Sequence, residues 1–131
     1  MWKWRMPVVV GVVAAAAAIA VGLHEPASND EAVVVTMGDA AFAPASVRIS
    51  AGSSVTWRNR SQLVHTVTAD PARVQNRRNV SLPAGAEPFH SGNIAAGASY
   101  TRRFTVPGTY RYVCVPHEAA RMIGTVVVTA D

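Results

Sequence analysis

The chain holds a single cysteine, Cys114, among its 131 residues. One thiol excludes an internal disulfide, the usual staple of small exported domains. It also excludes the two-cysteine attachment of a c-type haem, and it leaves too few thiolates for an ordinary structural zinc site. Lysine is equally scarce, with Lys3 the only one. Setting Lys3 and Arg5 aside leaves ten arginines against eight acids, a net of +2. So small a charge is no argument for nucleic-acid binding, and none is expected. Beyond residue 31 no stretch has a helical period with caps, and no internal repeat occurs.

What is present begins with an N-terminal apolar run. Lys3 and Arg5 precede residues 7–23, which carry no charge. A basic start followed by an apolar stretch predicts an export signal. The small-x-small pattern Ala18-Ile19-Ala20 offers a cleavage point after Ala20. The alternative is an uncleaved membrane anchor, since 17 apolar residues lie at the lower edge of a span. No cysteine follows the run, which argues against a lipid anchor. The organisation expected is a signal or anchor over 1–23, a polar linker over 24–31 and one domain over 32–131. Either N-terminal reading puts that domain outside the cytoplasm, in the periplasm or an equivalent space.

The domain reads as all-β. Short alternating or β-branched runs recur at 32–37, 46–50, 53–59, 63–69, 98–106, 109–115 and 123–129. Turn signals separate them at Ala51-Gly52, Ala96-Gly97 and Pro107-Gly108. Many short strands with such turns predict an antiparallel sandwich or barrel. Residues 70–97 break the rhythm, with Pro83, Gly85, Pro88 and Gly92 close together, as in a Greek-key crossover. Within it, 81–82 or 89–91 is expected to form a short edge strand.

The chemistry concentrates at Cys114-Val115-Pro116-His117-Glu118-Ala119-Ala120-Arg121-Met122, a C-x2-H-x4-M pattern where one strand ends and the last begins. A thiolate, an imidazole and a thioether thus share one short loop. Two imidazoles and a thiolate in a plane, with a distant axial methionine, make a blue copper electron-transfer site. The second imidazole comes from His24, His65 or His90. His24 lies in the linker and His90 in the crossover. His65, flanked by Val64, Thr66 and Val67 in an expected strand, is preferred, with His90 as its replacement. Taken singly, each of these residues has a plainer role as core or surface. The combination of the only cysteine with a histidine at +3 and a methionine at +8 is specific. A thiol hydrolase fits less well, because only Glu118 nearby could orient a catalytic histidine.

Several segments carry a resemblance to the plastocyanin-like cupredoxins, the small type 1 copper proteins. They are Val55–Asn59 (VTWRN), His65–Val67 (HTV), Gly108–His117 (GTYRYVCVPH) and Met122–Val128 (MIGTVVV), with Phe42-Ala43-Pro44, Val47, Ile49 and Gly52 upstream. The resemblance covers nearly all of 32–131. It implies a Greek-key β-sandwich of about eight strands with one copper ion at one end, held by His65, Cys114, His117 and Met122. There are departures. Plastocyanins usually have tyrosine where Val113 stands, and proline and asparagine where Val64 and Thr66 flank the first histidine. Their frequent acidic patch is replaced here by arginines.

These features predict an electron carrier cycling between Cu(I) and Cu(II), not an enzyme, and the resemblance implies that His117 is the electron port. Thr66 and Asn59 are candidates for support around the ligands. Arg73, Arg77, Arg78 and Arg121 suggest an acidic redox partner, such as a c-type cytochrome or a membrane oxidoreductase. A monomer is the default. The competing reading is a copper carrier or buffer without redox turnover, although such a carrier would have several methionines, and the domain has only Met37 to spare.

Overall fold

In the computed structural model the described residues are 33–131. The expected signal or anchor and the linker lie outside them. Among the described residues no helix is long and apolar enough to cross a membrane.

Among the described residues nine strands run in chain order: β1 (Val33–Met37), β2 (Phe42–Ala43), β3 (Ser46–Ser50), β4 (Ser54–Asn59), β5 (Thr68–Ala69), β6 (Phe89–His90), β7 (Ser99–Arg103), β8 (Gly108–Val113) and β9 (Ile123–Thr129). They form two sheets, ordered β2-β1-β4-β7 and β3-β9-β8-β5-β6. The all-β sandwich is as expected. The wholly antiparallel arrangement is not, because β1 pairs with β4 and β3 with β9 in parallel. A half-buried strand alternates in the same way whichever direction its neighbour runs, so the pattern carries no sign of this.

Alternation sets which face goes inward. Along β4, Val55 and Trp57 are buried, and along β9 Gly124, Val126 and Val128 are buried. Trp57 on one sheet and Tyr112 on the other meet edge to face, with centroids 5.3 Å apart. The Trp57 indole N–H donates to the Tyr112 hydroxyl at 3.0 Å, so neither buried polar group is left unpaired. Burial pushes the Tyr112 phenol well above its ordinary pKa. Tyr112 faces Gly124 across the β8–β9 pair, and any Cβ at residue 124 would run into its ring. Glycine is therefore required there for space.

The run 63–69 does not form one strand. His65 makes an isolated bridge to Ile94, and regular pairing resumes only at Thr68. In the crossover the short edge strand is Phe89–His90, while Ser81 makes a single bridge to Arg111.

Candidate metal centre

The site sits where β8 ends. The backbone N–H of Cys114 donates to Met122 O at 3.0 Å, so the two ends of the 114–122 loop are tied together. Pro116 lies in a 3-10 turn over Val115–His117, which brings His117 back toward Cys114. The His117 amide donates to Cys114 O at 3.2 Å and the Met122 amide to His117 O at 3.2 Å. Arg121 closes the loop with φ 59°, the left-handed region that favours glycine.

His65 arrives from the other side. Its backbone exchanges two hydrogen bonds with Ile94, at 3.1 and 2.7 Å. The ring is fully buried, and its Nδ1 lies 3.4 Å from Cys114 Sγ. His117 Nδ1 lies 3.2 Å from the same sulfur. The candidate donor atoms of His65, Cys114 and His117 all fall within 4.8 Å of one another. Met122 is fully buried at the end of the loop. His117 alone among the four is partly exposed. His90 is elsewhere: it pairs with Thr68, and its Nδ1 is bonded to Thr68 Oγ1 at 2.8 Å.

The surroundings hold these groups in one state. Ser61 Oγ lies 2.7 Å from Asn59 Oδ1 and 2.9 Å from His65 Nε2. Ser61 gives its one proton to the Asn59 carbonyl, so Nε2–H of His65 is the donor to Ser61. The His65 lone pair is then on Nδ1, facing the sulfur. Asn59 is itself pinned by Nδ2 donation to Leu63 O at 2.7 Å and Ile94 O at 3.0 Å. Thr66 supports the cysteine: its amide donates to Sγ at 3.4 Å, and its Oγ1 accepts from the Val115 amide at 2.9 Å. Asn59 and Thr66 were visible as candidates in the sequence. Ser61 was missed, since nothing in a lone serine of a polar turn marks it as the partner of a histidine four residues on.

Electrostatics favour an uncharged cavity until a cation enters. Burial, and then the neighbouring His117, hold the His65 imidazole below its ordinary range. Burial pushes the Cys114 thiol up, against the opposing effect of the Thr66 N–H. A cation beside the sulfur is what makes the thiolate favourable. The donor set fits copper: one soft sulfur between two imidazole nitrogens, at separations that metal bonds of about 2.0–2.3 Å can bridge.

Glu118, next to His117, is only 4% exposed. Its Oε2 accepts from the Gln75 amide at 2.9 Å, and its Oε1 from the Asn76 amide at 2.9 Å and Asn79 Nδ2 at 3.0 Å. Burial alone would raise its pKa, but these three donors outweigh it and hold the carboxyl below its ordinary range. It ties the 114–122 loop to the crossover segment that bears Arg77 and Arg78.

Residues 30–129 match the model of the copper-binding proteins of the plastocyanin/azurin family. The chain is 36% identical over 120 residues to the chloroplastic plastocyanin of Tetradesmus obliquus, covering 88% of this chain and 80% of that one. It is 36% identical over 91 residues to the plastocyanin of Scenedesmus fuscus, covering 70% and 89%. Among solved structures, a Cu(I) form of a mutant amicyanin superposes with a TM-score of 0.60 at 28% identity, covering 76% of this chain and 84% of that one. The fold, the converging donors and these likenesses agree: the chain belongs to the plastocyanin/azurin family of copper-binding proteins, as a plastocyanin-like cupredoxin whose cofactor is copper.

Proposed function

We propose that this protein is an exported carrier of single electrons whose one copper ion is held by His65 Nδ1, Cys114 Sγ, His117 Nδ1 and the Met122 thioether. The observation that carries the reading is the approach of two imidazole Nδ1 atoms to one buried sulfur at 3.4 and 3.2 Å. Copper bound there supplies the Cu(I)/Cu(II) couple. The chain's own contribution is rigidity. Ser61 fixes the His65 ring, Thr66 fixes Cys114, and the Cys114–Met122 tie fixes the loop. Ligands that do not move between oxidation states keep the rearrangement on electron transfer small.

His117 is the electron port in this reading, because it alone of the four ligands reaches the surface. Leu63 and Val64, 43% and 45% exposed, precede His65 in sequence and offer an apolar contact to a partner. Arg77, Arg78 and Arg121 are exposed and carry no ion pair among the described residues, whereas Arg73 is paired with Asp70 at 3.3 Å. Their positive charge suits an acidic redox partner. The uncharged run over 7–23 after Lys3 and Arg5 supports export. A copper carrier is disfavoured by burial: His65, Cys114 and Met122 are fully covered, and so is the spare Met37.

The test is a redox titration of the copper-loaded protein. Reversible one-electron behaviour is expected. Met122→Ala should shift the potential while leaving copper bound, since a thioether would be the weakest donor of the four and would tune the couple more than hold the ion. Irreversible loss of copper on reduction would favour the carrier.

A further inference from the structure

Glu118 is a buried anion that none of the proposed ligand contacts requires. No cationic side chain lies within ion-pair distance of it among the described residues. Such a charge is costly unless its acceptor sites are filled. They are filled by three N–H groups, two from the main chain at Gln75 and Asn76 and one from Asn79. A carboxylate, which only accepts, suits three donors, and each of them favours the ionised form over the protonated one. The donors belong to a single turn: Asn76 caps the Arg77–Asn79 3-10 turn by accepting from the Arg78 amide at 3.0 Å. On its own loop Glu118 is equally held, with its carbonyl accepting from the Arg121 amide at 2.9 Å.

We propose that Glu118 is a positioning residue for electron transfer: its carboxylate locks the ligand loop onto the crossover and keeps a fixed negative charge one residue from His117. The lock joins the segment that carries Cys114, His117 and Met122 to one that carries no ligand. It therefore holds the loop whether or not copper is bound. The charge lies in a poorly screened position, where it favours the more positive oxidation state. The proposal rests on the copper assignment above.

The test combines amide exchange on the copper-free protein with potentials of the copper-loaded one. In the unaltered copper-free protein the amides of Gln75 and Asn76 should be as protected as that of Cys114. Glu118→Gln keeps the shape and removes the charge. It should speed exchange at residues 75 and 76 by about tenfold or more and raise the potential. Asn79→Ala removes one donor and keeps the charge, so it should speed exchange without raising the potential. Rapid exchange at 75 and 76 in the unaltered protein overturns the lock, and needs no variant to fold. An unchanged potential in E118Q, or an equal rise in Asn79→Ala, overturns the role of the charge. A wild-type protein that never turns blue with copper defeats the copper assignment instead, and is told apart from these outcomes at once.

Discussion

Ser61 is the residue on which His65 depends most directly. It stands between Asn59 and the His65 ring and decides which ring nitrogen is free for a metal. Ser61→Ala should weaken copper binding by about 10–100-fold, the usual effect of losing a partner behind a ligand, while leaving the visible spectrum of the loaded protein nearly unchanged. A competition titration against a chelator checks it. The four proposed ligands were legible in unequal ways. Cys114, His117 and Met122 share one loop, so their spacing alone suggested a site. His65 is separated from Cys114 by 49 positions, and only elimination and family likeness selected it over His90. Ser61 was not legible, because its role exists only once residues 59–65 fold back on themselves.

At the scale of elements, β8 and β9 hold the loop between them, and Gly124 lets them approach under the Tyr112 ring. Gly124→Ala should destabilise the fold by about 1–3 kcal/mol, the usual cost of an added carbon in a filled core, seen as a lower denaturation midpoint. Most strands could be read from alternation, with bounds close to those observed. Two features could not. β2 is only two residues long and leaves no period to detect. The run 63–69 has strand composition, but its donors are diverted: the Thr66 amide goes to Cys114 Sγ and the Val67 amide to Ser91 Oγ at 2.8 Å. The site and the crossover each take one of the donors that a regular ladder would use.

Over the whole molecule, two sheets make a stiff body and the proposed ligands gather at one end of it. The surplus of arginine over acid is small across the domain, but Glu118 ties the turn that bears Arg77 and Arg78 to the loop that bears Arg121. Replacing Arg77 and Arg121 with Gln should slow association with an acidic redox partner severalfold at low salt and flatten the salt dependence of the rate. Stopped-flow mixing at several ionic strengths reads both, and unchanged rates would remove the steering role. This grouping was only partly visible in the sequence, since the turn that bears Arg77 and the loop that bears Arg121 are tied through a buried carboxylate whose partners lie about forty residues away in the chain. The central claim, one copper on a buried thiolate between two imidazoles, is tested most directly by adding Cu(II) to the purified domain and recording its visible spectrum. An intense blue band that saturates at one equivalent and vanishes in Cys114→Ser is the predicted result. A colourless complex, or a band that survives the loss of Cys114, would contradict it.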